Sequence, residues 1–153
     1  MIRQLCDIRD TVFRLQTQLR FGRLSRAPLR ILRLEWLGDH ANCDWVARAE
    51  DAWDDDLPSG VRNSNASIQA LEDAIGVRDL LLSALPDISS ATLRVYRECP
   101  DGSLELIITG NVTRSERFFY RVHSLAMRAK LYGFQFFLNE GALMAFQMDE
   151  GGL

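Results

Sequence analysis

The sequence is short of cysteine and of long apolar runs, and these shortages exclude several classes of protein. Three cysteines at wide spacings form neither a disulfide framework nor a zinc motif. No apolar run reaches the roughly 20 residues of a membrane-spanning helix. Glycine-rich phosphate loops and the Gly-x-Ser-x-Gly motif are absent too. In the absence of these motifs, the sequence predicts no catalytic residue, no metal ligand set and no cofactor.

What is present is the composition of an ordinary globular protein. Hydrophobic residues make up 47% and charged residues 25% of the 153 residues, which excludes a disordered or collagen-like chain. This length predicts one domain, over residues 1–148, followed by a flexible tail at 149–153. Residues 1–7 have neither the basic start nor the apolar core of a secretion signal, so we expect a cytoplasmic protein that contacts no membrane.

The charge is unevenly distributed along the chain, although its net value is only −3. Residues 1–33 contain eight arginines and two acids, whereas residues 34–60 contain eight acids and one arginine. Lys130 is the only lysine, so arginine richness is a general feature of this composition and is not by itself evidence for phosphate binding. The opposite charge blocks favour binding between proteins.

Hydrophobic periodicity and turn residues predict the order helix, hairpin, helix, hairpin, helix, hairpin (α-ββ-α-ββ-α-ββ). Since hairpin strands pair antiparallel, we expect a two-layer α+β domain, with an antiparallel sheet built from three hairpins and helices mainly on one face. The polar stretch 49–66 is the one long loop. The predicted helices cover 2–20, 67–85 and 113–132, and the predicted strands cover 29–37, 43–48, 91–99, 104–112, 134–138 and 142–148.

The first hairpin carries a specific expectation about packing. Alternation places Leu32, Leu34 and Trp36 on one side of its first strand. The same alternation places Cys43 and Trp45 on one side of its second strand. We expect the two tryptophans to lie near each other across the hairpin, because a cross-strand aromatic pair buries both rings.

The starts of the second and third helices are predicted from capping residues. Ser67 is an expected N-cap for the second helix. Thr113 and Glu116 form a capping box, which predicts that the third helix begins there. Gly133 is a natural residue to end that helix.

The first helix has an apolar seam at heptad spacing. Its alternating steps of three and four residues are typical of a helix that packs along one stripe. The stripe either packs on the core of its own domain or pairs two chains, in which case a homodimer is expected. The seam residues are Leu5, Ile8, Val12, Leu15 and Leu19.

The acidic loop is the surface most favoured for binding a partner. Long loops carry function more often than the elements that they connect. An acidic loop with aromatic and apolar side chains suits a basic protein partner, although the same pattern also fits a solvated loop or a magnesium or calcium site. The predicted partner-binding residues are Trp53, Asp54, Asp55, Asp56 and Leu57.

Arginines after the first helix support an alternative function. Clustered arginines with a nearby aromatic side chain suit the phosphates and bases of a nucleic acid. The sequence pI of about 5.4 is far from the basic values typical of such proteins. The candidate nucleic-acid-binding residues are Arg20, Arg23, Arg26 and Arg30.

His40, Cys43 and Asp44 lie close in sequence and raise the question of a metal site or a Cys–His nucleophile. Zinc sites usually need four ligands in closely spaced pairs, and no second pair follows. Cys43 is in phase with Trp45 on an alternating strand, so it is expected to face the core. We therefore interpret these three residues as structural.

Residues 68–138 resemble BON domains in the order of helices and strands and in two motifs. The first motif is an alternating strand that ends in Gly-x-Val before a helix, and the second is a glycine before the last strand. The matching residues are Leu106-x-Ile108-x-Gly110-x-Val112, and Ala126 followed by Gly133-Phe134. The resemblance covers under half of the chain. It implies an interaction or ligand-binding module and carries no catalytic residues.

Together these patterns predict a non-enzymatic protein–protein interaction or assembly module, such as a small accessory subunit of a larger complex. The expected partner is a second copy of the chain or another protein of that complex. The alternatives are a nucleic-acid-binding accessory protein, which would use the arginine-rich segment, and a metal-assisted enzyme, which would use the acidic loop.

Overall fold

The computed structural model describes residues 2–19, 22–25, 27–49, 56–114 and 121–146, with side chains from residue 9 onward. These residues form an α+β fold, as the sequence predicts. The helices are α1 (Ile2–Gln18), α2 (Ser59–Ala84) and α3 (Leu125–Tyr132). The strands are β1 (Arg30–Leu37), β2 (His40–Val46), β3 (Ser90–Glu98), β4 (Leu104–Thr113), β5 (Phe134–Gln135), β6 (Phe137–Asn139) and β7 (Ala142–Met144).

The main sheet is mixed, which corrects the expected antiparallel sheet of three hairpins. Its strands follow the order β1-β2-β3-β4-β5, in which β2 lies parallel to β3 and the other neighbours are antiparallel. Parallel neighbours need a long connection, and the 26 residues of α2 lie between β2 and β3. β6 and β7 form a separate two-stranded sheet, so the third hairpin lies outside the main sheet.

The register of the first hairpin differs from the expectation. Gly38 has a φ of 63°, as the short turns that join two hairpin strands require. This tight turn pairs Trp36 with Ala41 and Ile31 with Trp45. The expected pairing of Trp36 with Trp45 is therefore wrong, because the turn is shorter than the five residues that the sequence suggested.

Two β-bulges change which side chains face the core. In β1 a bulge between Ile31 and Arg33 leaves Leu32 exposed, so Leu32 does not share the core-facing side with Leu34 as expected. In β4 a second irregularity accompanies the burial of two successive side chains, Ile107 and Ile108. Strict alternation cannot predict either arrangement.

A contiguous core joins α2 to the main sheet. Trp45 is the largest fully buried side chain, and Cys43 on the same strand is also fully buried, as predicted. Leu81 and Val77 of α2 and Leu15 of α1 belong to the same cluster. Burying each large apolar side chain stabilises the fold by about 1.5–3 kcal/mol.

Two helices begin at residues other than the predicted caps. α2 begins at Ser59, directly after Pro58, whose fixed φ suits the start of a helix. Ser67 lies inside α2 and is buried, so it is not an N-cap. Ser124 caps α3 by accepting a hydrogen bond from the Met127 N–H, whereas Thr113 ends β4. The predicted capping box therefore does not start α3.

A buried ion pair involving α2 stabilises the position of the segment that connects α1 to β1. Arg48 follows β2, and its Nε donates to Oδ2 of Asp73 in α2 at 2.8 Å, with side chains 1% and 5% exposed. Arg48 also donates to the carbonyl oxygens of Ala27 and Leu19. Gln69 donates to Asp73 Oδ1 at 3.1 Å. These bonds satisfy groups that would otherwise be costly to bury.

Candidate functional site

A cleft of about 510 Å³ opens where β2, α2, the β3–β4 turn and β7 meet. Alanines line two of its walls: Ala47 and Ala49 follow β2, and Ala66 and Ala70 lie four residues apart on one face of α2. Because these side chains end at Cβ, they leave the space between the two walls open. We call this feature the alanine cleft. Its volume is in the range of pockets that bind ligands.

The charged groups at the alanine cleft are already paired. Arg48 is held by Asp73, as described above. Arg97 donates through Nε to Glu105 Oε1 at 2.7 Å and through Nη1 to the Leu143 carbonyl oxygen at 2.9 Å. Since these partners neutralise or satisfy both guanidinium groups, the cleft favours an apolar guest.

The cysteines differ in their surroundings. Cys99 is partly exposed and lines the alanine cleft, next to the β3–β4 turn. Cys43 is buried in the core, and burial together with the neighbouring Asp44 carboxylate raises the pKa of its thiol to about 12. Cys43 therefore stays a neutral thiol at physiological pH and acts as an apolar core residue.

The β6–β7 hairpin forms one side of the cleft and is held by α2. The Leu143 N–H donates to Ser67 Oγ at 2.8 Å, and the Leu143 side chain is buried. At the hairpin tip, Gly141 has a φ of 82° and lies close to Ser64 of α2. The sequence does not indicate this role of Ser67, since a serine before an apolar run is equally typical of a helix cap.

The outer side of this hairpin is apolar and exposed. Phe137 and Met144 are register partners, so they lie on the same face, and Phe137 is 60% exposed. The Phe137 ring contacts the ring of Phe146 at a centroid distance of 5.2 Å. Leu138 is also exposed, but it pairs with the buried Leu143 and lies on the opposite face of the hairpin. We call Phe137 and Met144 the hairpin surface. The sequence did not indicate it, because the same apolar run also fits a half-buried strand.

Removing the Ser67 hydroxyl should loosen this hairpin. In Ser67→Ala the buried Leu143 N–H loses its acceptor, which lowers the free energy of unfolding by about 1–3 kcal/mol. Urea denaturation measures this loss, and hydrogen exchange of the Leu143 amide should accelerate. Ser83→Ala on the exposed side of α2 is the matched control. Unchanged exchange at Leu143 in Ser67→Ala would contradict the anchoring role.

The predicted partner-binding residues are only partly within the described chain. Trp53, Asp54 and Asp55 lie outside it. Asp56 and Leu57 are exposed, immediately before α2. Residues 50–56, which we call the acidic segment, follow Ala49 of the cleft wall directly in sequence and contain five acids among seven residues. In sequence, the acidic segment lies between Ala49, which lines the cleft, and Leu57, which precedes α2.

The heptad seam of α1 faces this chain's own core where its side chains are described. Leu15 is fully buried, Leu19 packs against the core, and Val12 is half-buried. The side chains of Leu5 and Ile8 lie outside the described ones. Pairing of two chains through this seam stays a prediction.

Of the four arginines of the nucleic-acid alternative, the two that the structure describes are each paired with an acid. Arg23 donates to Glu72 Oε1 through Nε at 3.0 Å, and this contact raises the pKa of Arg23. Arg30 lies 3.7 Å from a carboxylate oxygen of Glu98. Arg20 and Arg26 lie outside the described residues.

His40, Cys43 and Asp44 do not form one site. The ring nitrogens of His40 lie 2.7 Å from Ser90 Oγ and 2.9 Å from Thr92 Oγ1, so both nitrogens are engaged. Cys43 is in the core. No three His, Cys, Asp or Glu side chains lie together as metal ligands in the described ranges, and none of the helices there is long and apolar enough to cross a membrane.

Comparison with known proteins adds no family. No family model matches the chain, and no curated protein or solved structure is significantly similar to it. The resemblance to BON domains over residues 68–138 stays a prediction.

Proposed function

We propose that this chain is a non-enzymatic protein-interaction module that binds a basic, amphipathic segment of a partner protein. The observation that carries the proposal is the exposed hairpin surface, Phe137 and Met144, beside the alanine cleft. Large apolar side chains exposed together are typical of interaction sites, because burying them in a complex releases water from apolar surface. The interaction class that the BON resemblance implies agrees with this proposal.

The acidic segment determines which partner fits. It follows the cleft wall directly in sequence, and its last residue, Asp56, and the following Leu57 are exposed. Carboxylates around an apolar centre attract basic side chains and speed association, and salt weakens this effect. An apolar anchor flanked by arginines or lysines therefore matches the cleft, the hairpin surface and the acidic segment together.

No specific observation favours the nucleic-acid alternative. Arg23 and Arg30 are paired with acids in the part of the chain that the structure describes. The metal-assisted alternative depends on the acidic segment, most of which lies outside the described ranges. Both alternatives stay hypotheses.

Removing two carboxylates of the acidic segment should weaken partner binding. In Asp55→Asn/Asp56→Asn, we expect about a tenfold loss of affinity for a synthetic peptide of arginines and leucines at low salt, because two attractive charges disappear. Fluorescence anisotropy of the labelled peptide measures the affinity. Asp10→Asn/Asp87→Asn removes the same charge elsewhere and is the matched control.

A second peptide tests whether the charge of the partner matters. It carries glutamate in place of every arginine, and it should not bind the wild-type protein. If both peptides bound equally well, or if neither bound, the proposed function would be wrong. Equal weakening by the two double variants would show that net charge, and not the acidic segment, attracts the peptide.

A further inference from the structure

β1 is the edge strand of the main sheet. The strand order leaves one long side of β1 without a neighbouring strand in the part of the chain that the structure describes. Leu32 and Leu37 on this strand are 45% and 87% exposed. An edge strand with exposed apolar side chains is a template for pairing with another strand. The open side of β1 is therefore a surface on which the sheet can be extended.

The main-chain groups of Leu34 point towards this open side. Just after β2, the Ala47 N–H donates to the Tyr96 carbonyl oxygen of β3. Alternate residues of a strand direct their main-chain groups to opposite sides, so Cys43, four residues before Ala47, also faces β3. Leu34 is the register partner of Cys43, and its own N–H and C=O therefore point away from β2. They have no hydrogen-bond partner among the described residues.

The charges on either side of Leu34 are complementary to themselves in an antiparallel pair. If two copies of β1 pair about Leu34, the two Leu34 residues exchange main-chain hydrogen bonds. Arg33 of each copy then lies opposite Glu35 of the other copy. Opposite charges in such positions stabilise a pair of strands, and like charges destabilise it. A shift of this register by two residues would place Arg33 opposite Arg33 or Glu35 opposite Glu35. The order of the charges therefore favours one register and a second copy as the partner.

The contact between Arg33 and Glu35 within one chain is compatible with this pairing. Arg33 Nη2 lies 3.0 Å from Glu35 Oε1, and the two side chains are 43% and 59% exposed. An exposed ion pair of this kind contributes little to stability. A guanidinium group has several N–H donors and a carboxylate accepts at both oxygens, so each group can contact its own chain and the second copy together. The charges then alternate in sign both along and across the two strands.

We infer that two copies of this chain pair antiparallel through β1, centred on Leu34, and form one continuous sheet across a two-fold axis. Both copies use the same surface, so the contact closes at a dimer. No residue that lines the alanine cleft belongs to β1. The inference therefore goes beyond the proposed function and does not depend on it.

Reversing one charge of β1 tests this register. In Arg33→Glu, and equally in Glu35→Arg, like charges lie opposite each other in the homodimer, so each variant alone should dimerise about tenfold more weakly than the wild type. Light scattering should show the wild type changing from monomer to dimer between about 1 μM and about 1 mM. Lys130→Glu makes the same charge change as Arg33→Glu, on exposed α3 surface next to β5 at the other edge of the sheet. This control should dimerise like the wild type.

Mixing the two charge-reversal variants gives the sharpest result. A pair of Arg33→Glu with Glu35→Arg again has opposite charges across the strands, and it should form about tenfold or more tightly than either variant with itself. Each reversal changes the net charge of −3 by two, to −5 and to −1, so general attraction between the chains cannot produce this result. Both variants lose the contact between residues 33 and 35 within the chain, so that loss cannot produce it either. Fluorescence anisotropy of one labelled variant measures the pairing.

Hydrogen exchange of the Leu34 amide locates the contact. It should slow about tenfold from monomeric to dimeric concentrations, because the N–H gains an acceptor in the second copy. A wild type that stays a monomer at every concentration, a mass that grows beyond a dimer, or no pairing in the mixture would overturn the inference. A dimer that is insensitive to both reversals forms through another surface, such as the heptad seam of α1, and would overturn it too.

Discussion

Arg48→Ala lowers the free energy of unfolding by about 3–5 kcal/mol, because it leaves the buried Asp73 carboxylate without its partner. Arg48 and Asp73 are 1% and 5% exposed, so water cannot replace the lost contact. The variant also removes the donors to the carbonyl oxygens of Ala27 and Leu19, which join the α1–β1 connection to the core. Urea denaturation at neutral pH measures the loss.

The pH dependence of this loss identifies its cause. Burial raises the pKa of Asp73, while Arg48 and Gln69 act to lower it. A carboxyl group with a raised pKa in the folded state destabilises the fold at higher pH. This cost begins to shrink as the pH falls through the raised pKa, and it is gone below the ordinary pKa of the unfolded chain. Without Arg48 the pKa of Asp73 should rise further. The difference between Arg48→Ala and the wild type should therefore shrink as the pH is lowered from neutral.

A double variant is the control for the buried charge. Arg48→Met/Asp73→Leu replaces both charges by apolar side chains of similar size, and it should recover most of the lost stability. If the double variant were as unstable as Arg48→Ala, the lost stability would come from the carbonyl contacts and not from an unpaired carboxylate. A pH-independent loss in Arg48→Ala would lead to the same conclusion.

Gly133→Ala is expected to destabilise the protein by about 3–5 kcal/mol. Gly133 ends α3 with a φ of 109°, which a residue with a side chain rarely adopts. An added Cβ would lie 2.6 Å from the backbone oxygen of Asn111 in β4. This close approach sets the path of the chain from α3 into β5 and onward to the hairpin surface.

Gly102→Ala is a control that separates two causes of the expected loss at Gly133, the positive-φ backbone conformation and the close contact with β4. Gly102 also has a positive φ, of 87°, but an added Cβ there meets nothing within 4 Å. It should therefore lose only the cost of the backbone conformation, about 1–2 kcal/mol. Thermal and urea unfolding of both variants give the comparison. Equal losses would show that the contact with β4 does not limit the substitution at Gly133.

The local elements of this fold follow from its sequence, but their assembly does not. Periodicity located α1 and the strands of the first two hairpins, because burial on one face produces it directly. The parallel pairing of β2 and β3 depends on where the chain returns to the sheet after α2. The antiparallel pairing within each hairpin does not predict which strands of the two hairpins become neighbours. The predicted helix starts were wrong where tertiary packing decides the role of the capping residue. Ser67 is an example, because its hydroxyl accepts a hydrogen bond from the Leu143 N–H.

The candidate site shows the same limit. The acidic segment is visible in the sequence as a run of carboxylates, and its last residue, Asp56, is exposed. The alanine cleft forms only when α2 and the end of β2 come together. Short side chains in two segments that are distant in sequence therefore did not predict it. Phe137 is an apolar residue in a regular element, and only the packed structure shows that it is exposed.

Chemical-shift mapping of the bound arginine–leucine peptide tests the central claim most directly, because it locates the contact without knowledge of the natural partner. The proposed function predicts amide shifts concentrated at Ala66, Phe137 and Leu143, with smaller shifts at high salt. Shifts concentrated on the first hairpin and on Arg23 and Arg30, with none at the alanine cleft, would contradict it.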